Sequence, residues 1–293
     1  MSASNTQNDF SKGSIVKNIM NLAIPMTLAQ LINVLYNIVD RIYIGRIPDH
    51  ATLSLTGIGL SLPIITLVIA FANLFGMGGA PLCSIERGRG DIKEAEAIMG
   101  NSFSMMFISG VLLTLLCLIF RKPMLYLFGA SDATYPYANA YITIYLLGSL
   151  FVMVGLGMNS FINSQGFGRI GMMTVLLGAA ANILLDPIFI FALHLGVRGA
   201  AIATVLSQFL SAAWVVKFLT GKKAELKLDF RGFRPDRQCI QRIESIPNKI
   251  VGSVPLHIVV ENLCRIKTRL IAGLASVVSE NAVAGAEMIP FDL

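Results

Sequence analysis

Two aspartates, Asp40 and Asp186, stand in stretches that carry almost no other charge. Asp40 follows Gln30, Asn33 and Asn37 at helical spacings, and at about 100° per residue these four fall within roughly an 80° arc, with Tyr36 at its margin. Asn182 and Asp186 are four apart and share a helix face. Thr204, Ser207, Gln208 and Ser211 share another face, and Tyr137, Tyr141 and Tyr145 a third, with Gly148 on the same side. Carboxylate, amide and hydroxyl oxygens suit a hard cation such as Na⁺ as well as they suit a proton relay. Two carboxylates brought together cannot both ionise cheaply, so such a pair should hold a proton or bind a cation.

Depth sharpens the expectation. Asp40 lies six residues before Arg46, Asp186 eight before His194, and Thr204 six after Arg198, while Tyr141 is about eight into its own run. At 1.5 Å per residue all four sit roughly 9–12 Å from the same ends of their helices. Residues from four helices could therefore converge on one cation. Polar residues in membrane bundles also act as interhelical glue. A carboxylate in hydrocarbon costs about 2.5–3.5 kcal/mol, however, and glue can be made from neutral amides.

The elements that must position these groups are long apolar helices. Charge-free runs cover 18–39, 51–85, 97–120, 133–168 and 199–216, and the run 170–197 is interrupted only by Asp186 and His194. Crossing a 30 Å hydrocarbon core takes roughly 20 apolar residues, so each run is long enough or nearly so. Charged residues make up 14% of the 293 and mean hydropathy is +0.69, too little charge for a water-facing surface. Alternation over about 10 residues, the mark of a membrane strand, does not occur. The expected fold is all-α: a polytopic membrane protein of six transmembrane helices, embedded in the lipid bilayer.

Four segments are expected. Residues 1–14 form a polar amino-terminal segment without a basic leader, 15–221 the six-helix lobe, 222–242 a basic linker, and 243–293 a tail that holds at most a partial seventh helix. Lys and Arg gather at Lys12, Lys17, Arg87, Arg89, Lys93, Arg169 and again from Lys217 to Arg237, against Arg41, Arg46, Arg121, Lys122 and Arg198 on the other side. That bias places the amino terminus in the cytoplasm of a multi-pass plasma-membrane protein. It also accounts for the net charge of +6, so nucleic acid is not an expected partner. Cys83, Cys117, Cys239 and Cys264 are scattered and suggest neither disulfide nor zinc site.

Other motifs carry less. Gly166-Phe-Gly168-Arg-Ile-Gly171 matches a dinucleotide fingerprint in letters only, since it follows a membrane helix and reads as a tight turn. There is no Walker A loop, no HExxH and no nucleophile–base pair at a common depth, so no enzyme and no cofactor is expected. The charged run Glu86–Glu96 reads as a solvated loop. Pro187 follows Asp186 and removes a helical bond to the Ile183 carbonyl, Pro25 does the same to Asn21, and Pro63 should kink its helix.

These residues together resemble the MATE (multidrug and toxic compound extrusion) transporters. The likeness rests on Ala23-Ile-Pro-Met, on Tyr36-Asn-Ile-Val-Asp-Arg-Ile-Tyr-Ile-Gly-Arg46 and on Gln165-Gly-Phe-Gly-Arg. It continues through Asn182-Ile-Leu-Leu-Asp-Pro-Ile-Phe-Ile190, Gly196-Val-Arg-Gly-Ala-Ala-Ile-Ala-Thr-Val-Leu-Ser-Gln208 and Arg231-Gly-Phe-Arg-Pro-Asp236. The resemblance implies two six-helix lobes, alternating access, and export of small amphipathic or cationic compounds in exchange for Na⁺ or H⁺. It implies a cation site of Asp40, Tyr141, Asn182, Asp186 and Thr204 and helix bending at Pro25. The polar faces themselves suggest a cavity lined by Gln30, Asn33, Tyr36, Asn37, Tyr145 and Gln208, and Pro187, next to Asp186, a second bend. Na⁺, where it is the coupling ion, would sit among Asp40, Asn182, Asp186 and Thr204. The second lobe is absent, so the chain reads as a truncated product, a fragment, or half of a homodimer that needs a partner lobe. A lipid-linked sugar flippase of the same superfamily is the rival reading. Such flippases use a basic cavity, and the helix interiors here are expected to hold no Lys or Arg. A non-transporting membrane partner is the third.

Overall fold

A computed structural model of the chain describes residues 14–47, 51–228 and 242–243. The expected tail after Ile243, and residues 1–13, lie outside the described residues. Long apolar runs fold as helices because lipid offers no partner for backbone N–H and C=O groups, which must therefore bond within the segment. The order is α1 (Ile15–Ile44), α2 (Ala51–Gly88), α3 (Ile92–Leu127), α4 (Tyr135–Leu147), α5 (Ser149–Ser164), α6 (Gly168–Pro187) and α7 (Val197–Leu219). Among the described residues five helices are long and apolar enough to cross a membrane, or six where the bent pair α4–α5 counts as one span.

The fourth span bends by 55° at Gly148. A β-carbon there would lie 2.4 Å from Cγ2 of Val205, so only glycine lets α7 approach this closely. The next span runs on from Gly168 to Ala192, passing at Pro187 from α6 into a π-helical turn over Ile188–Ala192. Leu193 N donates to Ile188 O at 2.9 Å, closing that wider turn, and His194 (φ 52°) and Gly196 (φ 53°) then reverse the chain into α7. α1 runs unbroken through Pro25. α2 likewise remains one helix through Pro63, where the sequence suggested a kink.

The short α5 is the hub. Met153, Met158, Phe161 and Ile162 on it are fully buried, and α2, α3, α6 and α7 all pack around it. α1 lies apart, packed chiefly on α6 and barely touching α2. Its Ile24, Leu31, Val34, Leu35, Ile38 and Ile42 are exposed.

The α1 N-terminus, the α2–α3 and α5–α6 turns and the α7 C-terminus share one end of the bundle, the near end. The charged run there is not a free solvated loop. Glu86 is only 6% exposed and accepts from Arg89 Nη1 (3.2 Å) and Arg242 Nη2 (2.7 Å), while Arg242 Nη1 donates to Glu94 at 2.9 Å. The chain after α7 is held at further points. Gln165 Oε1 accepts from the backbone N–H groups of Glu225 (3.1 Å) and Leu226 (3.0 Å), and Glu96 Oε1 from that of Lys227 (2.8 Å). Ala224, Leu226 and Leu228 are buried beneath these bonds. We expect Glu86→Gln, which keeps shape and removes charge, to loosen this strap. Limited trypsin digestion at Lys222, Lys223 and Lys227 should then outpace that of the parent, and unchanged cleavage would show that the apolar anchors suffice.

Candidate functional site

A cavity of about 170 Å³ opens between α1 and the body of the lobe. Its polar wall comes from Asn33, Tyr36, Asn37 and Asp40 of α1, Tyr141 and Tyr145 of α4, and Thr204 and Gln208 of α7. Its apolar wall comes from Ile58, Leu62, Ile65 and Ile69 of α2 with Val152 and Leu156 of α5, a side that polar-residue arithmetic had no means of finding. Two sequence expectations change. Gln30 is exposed and does not line the cavity, whose α1 wall begins one turn further on at Asn33. Arg41 does line it, so the cavity holds one cationic side chain, contributed by the far end of α1 rather than by a loop.

Asp186 and Asn182 lie behind the cavity and line none of it. Asp186 is 0% and Asn182 1% exposed. Asn182 Nδ2 donates to Asp186 Oδ1 at 3.2 Å, the i,i+4 pairing that α6 imposes. Asp40 bridges the compartments: it lines the cavity, and its carboxylate is near enough to that of Asp186 for the two charges to act on each other. Tyr141 is 5% exposed and stacked on Tyr145 at 6.2 Å between ring centroids. Asn37 Nδ2 is spent on Asn33, donating to its backbone O at 2.7 Å and its Oδ1 at 2.8 Å. Thr204 Oγ1 donates to Ala200 O at 2.9 Å, which leaves its lone pairs available.

Three buried oxygens of this cluster have no protein donor: Asp40 Oδ1, Asp186 Oδ2 and Asn182 Oδ1. Buried acceptors are normally satisfied, so three together mark a place for a cation, a proton or water. Among the described residues no group of three or more His, Cys, Asp or Glu side chains is placed to hold a metal ion. The oxygen set fits a hard monovalent ion or a shared proton.

The MatE family model covers residues 25–188, more than half of the chain. The chain belongs to the MatE family. It is 30% identical over 237 residues to the multidrug export protein MepA of Staphylococcus haemolyticus, which is 81% of this chain and 52% of that one. Its backbone superposes with a TM-score of 0.73 on an outward-facing multidrug resistance MATE transporter of the MOP superfamily, at 28% identity over 79% of this chain and 51% of that chain. The same score and identity relate it to a MOP superfamily transporter of Pyrococcus furiosus, described as having a binding pocket of reverse polarity that suggests a different function. The chain thus spans about half the length of the MatE relatives it matches.

Proposed function

We propose that this chain is the cation-coupled half of a multidrug exporter. The observation that carries the reading is the meeting of Asp40 and Asp186 at the back of the cavity with three unpartnered oxygens. With both carboxylates ionised, like charges oppose each other across a buried gap. A Na⁺ ion or a proton relieves that opposition and draws α1 toward α6; its loss lets α1 relax. Because α1 packs almost wholly on α6, it can shift without disturbing the α2–α3–α5 core. The amphipathic cavity, aromatic and amide on one wall and aliphatic on the other, suits small amphipathic or cationic compounds expelled as α1 moves. Alternating access needs a second wall, which a partner lobe or a second copy of the chain would supply. The Lys and Arg bias orients the near end to the cytoplasm of a plasma membrane.

A lipid-linked sugar flippase gains one supporting observation, Arg41 in the cavity wall. A single guanidinium beside Asp40 is a weaker anion site than the strongly basic cavity such a substrate requires. The deciding experiment is efflux of a fluorescent cationic dye from cells expressing the 293-residue chain, with Asp40→Asn alongside. Efflux that Asp40→Asn abolishes is the expected result. Efflux that Asp40→Asn leaves intact overturns the coupling site, and no efflux from well-inserted protein assigns transport to a complex with a second lobe.

A further inference from the structure

We propose that Arg41 makes the cavity selective for zwitterions, small aromatic compounds that carry a carboxylate beside their positive charge. The inference rests on Asp40 and Asp186 being the coupling pair, and names the substrate class that this pair would expel.

Charge in the cavity wall is confined to two neighbours. Among the described residues that line it, Asp40 alone is acidic and Arg41 alone is basic; the rest of the polar wall is amide, phenol and hydroxyl. Residues i and i+1 stand about 100° apart on a helix and do not face each other. The two charges are near enough to act on each other, yet Arg41 forms no ion pair among the described residues, and Asp40 Oδ1 accepts from no donor. A guanidinium in a membrane helix is costly unless it serves a partner or reaches water. Arg41 lies three residues before the end of α1 and is exposed, so its long stem can carry the charge to headgroup level without an ion pair. What it lacks is an anion.

A ligand supplies it. An aromatic ring laid against the aliphatic wall that α2 contributes buries apolar surface on both sides. Its positive group then faces Asp40, and its carboxylate meets the planar fork of Arg41, which can hold both oxygens at once. Arg41 repels a plain cation and Asp40 a plain anion, so the adjacent pair disfavours each while holding a molecule that carries both. The same arrangement joins selection to expulsion. Once Na⁺ or a proton neutralises Asp40, only the Arg41 charge faces the cavity, and the positive group of the ligand is opposed rather than held. A single guanidinium suits one carboxylate and not a polyanion, which separates this reading from that of a lipid-linked sugar.

A matched pair of fluorescent probes isolates the carboxylate: N-carboxymethylquinolinium, a zwitterion, and its ethyl ester, a plain cation. Binding of each to the purified 293-residue protein in detergent is measured by equilibrium dialysis, with binding to empty micelles subtracted. Apolar partition alone favours the ester, so a preference for the carboxylate has a diagnostic sign. The expected result is at least about tenfold tighter binding of the zwitterion by the parent, falling to within about twofold in Arg41→Gln. Arg41→Lys, which keeps the charge and loses the fork, should fall between them. Comparing two probes within one variant cancels any difference in folded fraction. Asp40→Asn should weaken both probes and leave their ratio in place. Equal binding by the parent, or a preference that survives Arg41→Gln, overturns the selector, and so does binding of neither probe. A ratio that follows Arg41 while both affinities ignore Asp40→Asn keeps Arg41 as the selector and removes Asp40 from the site, so the two readings fail separately.

Discussion

Asp186→Asn is expected to abolish cation dependence while leaving the lobe folded. The side chain is fully buried, and one of its oxygens bonds Asn182 while the other has no protein partner. Asparagine is nearly isosteric, so packing survives and only the charge and one acceptor are lost. Interactions with a charged group are worth about 1.5–3 kcal/mol each, so a cation that uses this carboxylate should bind roughly 10–100-fold more weakly. The stability consequence has the opposite sign. Removing one of two like charges that oppose each other across a buried gap should hold or raise the melting temperature. Calorimetric titration with Na⁺, proton uptake in a pH-stat and a melting curve on the same purified protein check all parts. Unaltered binding of both cations would take Asp186 out of the coupling site. Lost binding together with a collapsed melting curve would make it a structural residue instead.

Gly76→Val should be the most damaging single change to the fold. A β-carbon at Gly76 would lie 2.7 Å from Gly157 O and 2.8 Å from Gly157 Cα, so the obstacle is backbone that no rotamer can move aside. Gly157 returns the constraint, its β-carbon position lying 2.9 Å from Ala72 O. Two glycines thus set the closest approach of α2 to the hub helix α5. In a membrane, where lipid is as apolar as leucine, such close packing is much of what holds helices together. Overpacking typically costs about 1–3 kcal/mol even where side chains can yield, and none can yield here. The measurable result is loss of monodisperse protein on size exclusion and a marked fall in melting temperature. Gly59→Ala is the matched control: nothing lies within 4 Å of its β-carbon position, so it should melt like the parent. Equal melting of the Gly76 variant would show that α2 and α5 can separate freely.

Much of the site was legible in the residues because a bilayer turns distance along a helix into depth. Asp40, Tyr141, Asp186 and Thr204, counted from the ends of their own runs, came out at one level; Asp40, Tyr141 and Thr204 line one cavity, with Asp186 behind it. Helical periodicity likewise grouped Asn33, Tyr36, Asn37 and Asp40 on one face of α1 and joined Asn182 to Asp186. The five or six spans were readable from charge-free runs.

What periodicity cannot report is which faces meet. Only the tertiary structure shows that Asp186 lies behind the cavity wall while Asp40 lines it, that Gln30 falls one turn short of it, and that Arg41 reaches in. Ile58, Leu62, Ile65 and Ile69 look like any lipid-facing residues until α2 is packed opposite α1. The need for glycine at position 148 comes from Val205, 57 residues away in α7, and Glu86 pairs with Arg242, 156 residues on. Such contacts leave no local pattern, because the helix repeat fixes each residue's angle and height but not the neighbour it will face.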